Sequence, residues 1–154
     1  MIRPSVALIG SFRQHLEEVR ECARVFAAAG FTVKSPPLSR AIDENRRFVR
    51  FESDPPTSSD REIQAAALEN IFSSDLVYVV NPGGYIGPAT AYELGHVRER
   101  GMAVYYAEQP VDLPIEVPDG TVLATGGSLP HDNIPPYLVV NFVISLFGVF
   151  PSQN

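Results

Sequence analysis

The chain has 154 residues, 45% of them hydrophobic and 19% charged, with one cysteine, no tryptophan and a formal net charge of −6. A chain of this length buries roughly two-thirds of its unfolded surface, so residues 1–154 are expected to form a single domain without disulfide or metal staples. Its twelve cations, all arginine except Lys34, are outnumbered by eighteen carboxylates and form no basic tract, which excludes a nucleic-acid polymer as the natural partner and leaves a small molecule or a protein.

In chain order, Val6-Ala-Leu-Ile-Gly10 is a short apolar run ending in glycine, as in a buried parallel strand. From Gln14 to Ala29, Leu16, Val19, Ala23, Phe26 and Ala27 recur at helical steps, with Glu17, Glu18, Glu21 and Arg24 on the other face. Gly30 stands where a helix C-terminal glycine belongs, and Phe31-Thr-Val-Lys-Ser35 reads as a second strand. Together these make a βαβ unit whose helix starts just after Gly10-Ser11. Residues Pro36 to Ser59 carry four prolines, mixed charge and little period. Two readings stand for this long loop: a lid whose Arg46, Arg47 and Arg50 reach an anionic ligand, or a solvated excursion.

Ser59-Asp60 is a helix N-cap signal, and Ile63, Ala66, Ala67, Asn70 and Ile71 mark a helix running to about Ser73. Asp75-Leu-Val-Tyr-Val-Val80 is a third strand, followed by a glycine-rich loop, a helix from Ala89 to Arg100, and a fourth strand over Met102 to Tyr106. Gly120 to Thr125 is expected to be a fifth strand. The last segment, Tyr137 to Phe150 within an apolar helix over 134–150, is shorter than the roughly 20 residues of a bilayer span and carries Asn141 and Ser145. It is expected to be a buried helix covered partly by a second copy of the chain, with no membrane attachment. Strands alternating with helices predict a three-layer α/β domain with a mostly parallel sheet. The lone Cys22 and the absence of a basic-then-apolar leader predict a cytoplasmic setting.

In such a sheet, ligands bind beyond the carboxyl ends of the strands where strand order reverses. Two loops belong there. In Gly10-Ser11-Phe12-Arg13, helix N-terminal N–H groups, a small hydroxyl and an arginine suit a phosphate or carboxylate; ordinary turn chemistry explains the same residues. In Asn81-Pro-Gly-Gly-Tyr-Ile-Gly-Pro-Ala-Thr-Ala-Tyr-Glu-Leu-Gly-His96, glycines admit a close ligand, and Glu93 lies about one turn into the following helix. Glu93 either faces that ligand or favours the helix dipole, and its apolar neighbours weigh towards the ligand. His15, His131 and Cys22 have no metal-ligand spacing, so no metal is expected.

The unit Gly87-Pro-Ala-Thr-Ala-Tyr-Glu-Leu-Gly-His96, preceded by the Ser74-Asp-Leu-Val-Tyr-Val strand and with Gly10-Ser-Phe-Arg13 at the front, resembles the nucleoside 2-deoxyribosyltransferase superfamily, including its nucleoside 5′-monophosphate N-glycosidase branch. The similarity runs from about Val6 to Val104. It implies a doubly wound, five-stranded Rossmann- or flavodoxin-like domain, usually dimeric or larger, with Glu93 as the nucleophile that attacks the anomeric carbon and displaces the base, and no cofactor. It further implies that Gly10, Ser11, Phe12 and Arg13 hold the phosphate, that Gly84, Gly87 and Ala89 line the substrate, and that Ser128 reaches a neighbouring subunit's phosphate. A Gly-Gly turn leading into the last helix explains Ser128 equally. The Pro82-Gly83-Gly84 element is also similar to the loop of the cytokinin-activating phosphoribohydrolases. An oxocarbenium-like centre stabilised or trapped by a carboxylate fits such chemistry.

Two departures stand out. The family's helix aspartate falls on Ala67, and its first-strand aromatic on Ala7. Either base protonation then has a substitute such as Glu69, Asp60, Tyr85, His96 or a residue of the 36–59 segment, or the activity is weak or altered. A non-catalytic nucleotide-binding or sensor module of the same fold is the alternative.

Overall fold

The computed structural model describes residues 3–42, 48–113 and 120–121. Four parallel strands, β1 (Ser5–Gly10), β2 (Thr32–Ser35), β3 (Leu76–Val80) and β4 (Val104–Tyr106), form a sheet in the order β2-β1-β3-β4. Three helices connect them: α1 (Phe12–Ala28), α2 (Asp60–Phe72) and α3 (Pro88–Glu99). Beyond β4, Gly120 and Thr121 pair in parallel with Tyr105 and Tyr106. The rest of the strand expected over 120–125, the apolar helix expected over 134–150 and Ser128 lie outside the described residues.

Strand alternation sorts the core into two layers, because successive side chains point to opposite faces. Val6, Leu8, Tyr78 and Val80 pack under Val19, Ala23 and Phe26 of α1. Ala7, Ile9, Val77 and Val79 pack under Leu68 and Ile71 of α2 and Leu94 and Val97 of α3. Helices on both faces explain why β1 is buried at every position and reads as continuous apolar sequence.

At its start, β1 is tied to β3 by Asp75, which accepts from the Ser5 N–H at 2.6 Å and the Ser5 hydroxyl at 2.7 Å. Those bonds hold the Asp75 carboxyl below its ordinary range. At its end, Gly10 pairs with Val80, and a Cβ on Gly10 would stand 2.6 Å from the Val80 carbonyl oxygen. Gly10→Ala is therefore expected to destabilise the protein by about 2–3 kcal/mol, measured by urea unfolding, because the obstruction is backbone and has no rotamer to turn away.

The helix boundaries follow local chemistry. A capping box starts α2: the Ser59 hydroxyl accepts from the Glu62 N–H, and the Glu62 carboxylate accepts from the Ser59 N–H at 2.7 Å. The end of α1 is marked by Gly30 at φ 92°. The start of α1 departs from a uniform helix, since His15 is non-helical (φ −132°, ψ 33°) and sets the turn carrying Phe12 and Arg13 apart from the rest.

The described parts of the 36–59 segment, 36–42 and 48–59, hold more structure than their irregular sequence predicts. Ala41 and Phe51 form an antiparallel bridge, flanked by Ile42 N–H to Arg50 O and Glu52 N–H to Arg40 O bonds. Ala41, Val49 and Phe51 bury themselves against Leu16, and Phe51 meets the Phe12 ring edge-on at 5.8 Å. The outward arm is anchored as well: Arg50 pairs with Asp60 and donates to the Ser58 carbonyl. Among the described residues no helix is long and apolar enough to cross a membrane.

Candidate functional site

Strand order reverses between β1 and β3, the place where an open parallel sheet leaves a crevice at its carboxyl edge. Gly10-Ser11 leaves β1 there and the Asn81–Gly87 loop leaves β3. The two loops touch: a Cβ on Gly87 would lie 3.7 Å from the Ser11 Cβ and 3.5 Å from the Tyr85 hydroxyl. The Tyr85 ring in turn stands edge-on to His15 at 6.3 Å. Ser11, His15, Tyr85 and Gly87 thus share one neighbourhood.

Helices α1 and α3 both begin here, with Ser11 and Gly87 as N-caps and without a side-chain cap. Their first-turn N–H groups, those of Phe12 and Arg13 in α1 and of Ala89 and Thr90 in α3, precede the first intrahelical bonds and have no acceptor among the described residues, as suits an anion. The Arg13 side chain is exposed and makes no ion pair among the described residues. Phe12 is half-buried and packs towards Phe51, so its side chain serves the excursion.

The glycine loop is held by three residues that local sequence patterns do not single out. Asn81, fully buried, donates its amide to the Glu108 carbonyl at 2.8 Å and accepts the Glu108 N–H at 3.1 Å. The Glu108 carboxylate takes the Gly83 N–H at 3.1 Å, and Asp112 takes the Ile86 N–H at 2.9 Å. Gly84 donates to the Asn81 carbonyl and lies against residues 109–111, where a Cβ would be 2.5 Å from the Gln109 carbonyl oxygen. With its N–H committed, Gly84 contributes the close approach of this support and not a donor.

Glu93 is buried, 7% exposed, on the inward face of α3 with Thr90, Leu94 and Val97. Its Oε1 accepts one hydrogen bond, from the Gln64 amide of α2 at 3.1 Å, and no cation pairs with it among the described residues. Burial pushes its carboxyl from the ordinary 4.5 up to about 7, against a smaller downward pull from Gln64. One helical turn earlier, the Thr90 hydroxyl is buried with no hydrogen-bond partner among the described residues. A desolvated carboxyl group and a buried hydroxyl thus lie three residues apart on the inward face of α3, within an apolar layer.

The other named side chains are placed elsewhere. Asp60 is engaged by Arg50, Glu69 is exposed, and His96 stacks edge-on against Tyr92 at 4.6 Å. Ala67 follows Gln64 by one turn of α2, so the helix offers an amide from this side and no carboxylate. Burial, followed by Glu21 and Glu18, raises the Cys22 thiol to about 11, which leaves it protonated and a poor nucleophile. Arg46 and Arg47 lie outside the described residues, and Arg50 is spent on Asp60 and Ser58. A cleft of about 560 Å³ opens between α1 and the excursion, lined by Leu16, Arg20, Leu38, Arg40 and Phe51; neither Glu93 nor Ser11 borders it.

Set against family models, curated proteins and solved structures, the chain matches none of them.

Proposed function

We propose that this protein is an N-glycosidase of nucleoside 5′-monophosphates, akin to the nucleoside 2-deoxyribosyltransferase superfamily, with Glu93 as nucleophile. The observation that carries the reading is Glu93 itself: a carboxylate 7% exposed, held among the described residues by a single neutral donor and no cation, on the helix that starts at the switch point. A carboxylate stripped of water and left without a cation gains most when positive charge develops next to it, as it does at C1′ when a glycosidic bond loosens.

In the proposed course, a Glu93 oxygen forms a bond to C1′ while the C1′–N bond breaks and its electron pair leaves with the base. The base takes a proton from Tyr85, a proposal supported by the position of Tyr85 beside Ser11 and Gly87, and a phenolate is left on Tyr85. Water then attacks C1′, the Glu93–C1′ bond breaks with its electron pair returning to the carboxylate, and the water proton restores the Tyr85 hydroxyl, which frees the sugar 5-phosphate; a second base in place of water gives transfer. The first-turn N–H groups of α1, the Ser11 hydroxyl and Arg13 receive the phosphate, and Gly87 and Ala89 border the sugar. A fifth strand at Gly120–Thr121 completes a doubly wound domain that acts as a homodimer, and the protein works in the cytoplasm without a metal or redox cofactor.

Incubation with a panel of ribo- and deoxyribonucleoside monophosphates, followed by chromatography for free base, tests the proposal. Base release from at least one member is expected; release from none rejects it. Ala67, standing where the related enzymes carry an aspartate, favours a second reading, a nucleotide-binding module without turnover. Saturable nucleotide binding with no base released over hours would select that reading.

A further inference from the structure

We infer that Gln64 is the positioning residue of Glu93, holding one carboxylate oxygen so that the other faces the sugar. The inference rests on the N-glycosidase reading and adds a residue to it. The bond joins two helices across 29 residues of sequence, from Gln64 Nε2 to Glu93 Oε1 at 3.1 Å. Among the described residues Glu93 has no other hydrogen-bond partner, which leaves Oε2 without a donor.

The placement of Gln64 is built into the fold. The capping box at Ser59 fixes where α2 begins, and buried Ile63, Leu68 and Ile71 fix its rotation on the sheet. Gln64 is then half-buried on the side of α2 that meets α3, one turn ahead of Ala67. The chemistry of an amide suits the task. An arginine or lysine here would neutralise the carboxylate and oppose the positive charge developing at C1′, and a second carboxylate would repel it. A neutral N–H donor favours the ionised form and fixes its orientation without either penalty.

Among the described residues, Gln64 is the side chain hydrogen-bonded to Glu93. On α2, Asp60, Arg61, Glu62 and Glu69 are exposed; on α3, Glu99 is exposed, while His96 packs against Tyr92 and the half-buried Arg98 has a partner of its own. Strand β1 carries no ionisable side chain, Tyr78 of β3 lies in the opposite layer under α1, and Tyr106 of β4, in the layer of Leu94 and Val97, has a partner of its own. Among the described residues, no charged side chain therefore bonds to Glu93 in competition with the amide.

The test compares the full-length protein with Gln64→Leu and Gln64→Met, which match the side chain's bulk and remove the donor. Carbon-13 NMR of the glutamate carboxyls, assigned with Glu93→Gln, reads the Glu93 midpoint in protein without nucleotide. The midpoint is expected to rise by about one pH unit in both variants, with the acid limb of the kcat/KM profile rising alike and activity near pH 6 falling roughly tenfold. Thermal unfolding shows that each variant is folded. An unchanged midpoint in folded variants overturns the inference. A raised midpoint in a protein that cleaves no nucleotide supports the hold of Gln64 on Glu93 and rejects the glycosidase reading, so the two fail separately.

Discussion

Glu93→Gln is expected to lower base release at least about a thousandfold while leaving a folded protein, because the variant keeps the shape of the side chain and removes its nucleophilic oxygen. The substitution is a demanding one. Glu93 sits in a packed layer with Leu94 and Val97, so truncation to alanine would mix a cavity with the loss of chemistry, whereas glutamine fills the same volume. Glutamine also keeps a polar group against the Gln64 amide, whose partner at 3.1 Å becomes a carbonyl oxygen. The measurement is free base released from the best nucleotide of the panel, at saturating concentration and with matched folded protein. A variant retaining more than about a tenth of the wild-type rate would remove Glu93 from the chemistry.

The same variant is expected to change how stability responds to pH. The Glu93 carboxyl titrates at its ordinary 4.5 when unfolded and at about 7 when folded, raised by burial. Below the lower value both states hold the proton and the group contributes nothing to the pH dependence. Between the two, the unfolded chain has released a proton that the native state retains, so stability falls as pH rises, and above about 7 the loss is complete. The full fall is about 3 kcal/mol, an upper figure for one group. Asp75 and Glu62 act in the opposite sense, since Ser5 and Ser59 hold their carboxyls below the ordinary range and their contribution is lost on acidification. Both are retained in Glu93→Gln. The difference between wild type and variant in urea unfolding from pH 4 to 8 therefore isolates Glu93: the variant is relatively more stable as pH rises, with the gap levelling off past pH 7. A gap that does not change with pH would mean that the carboxylate is hydrated in solution.

Much of this architecture was legible because it is local. The apolar runs over β1 and β3 and the heptad-like spacing of Leu16, Val19, Ala23 and Phe26 predict elements within a residue or two of those found. Ser59-Asp60 announces the start of α2, and Gly30 the end of α1. Glu93 was legible as a carboxylate among apolar neighbours, and its burial follows from its register with Leu94 and Val97. The supports of the site were not legible. Gln64 stands among alanines in a weakly patterned helix, and only the packing of α2 beside α3 gives it a partner. Asn81, Glu108 and Asp112 act across about two dozen residues on a loop whose glycines attract attention first. The pairing of residues 41 and 51 rests on a single bridge, too short to leave a period, and the irregular His15 backbone has no glycine or proline to signal it.

The central position of β1 bears on how the chain reaches its native state. One edge of β1 is met by β2 within thirty residues, but the other waits for β3, and the Ser5–Asp75 bond closes a span of 70 residues. Closing a flexible loop of that size costs roughly 4 kcal/mol of chain entropy before any reward from pairing. Until β3 is synthesised, Val6, Leu8 and Ile9 line an open, apolar strand edge, the kind of surface that pairs with other chains. The nascent β1-α1-β2 unit is thus the stage most exposed to aggregation, and assembly becomes cooperative only when the strand leading to the Glu93 helix docks.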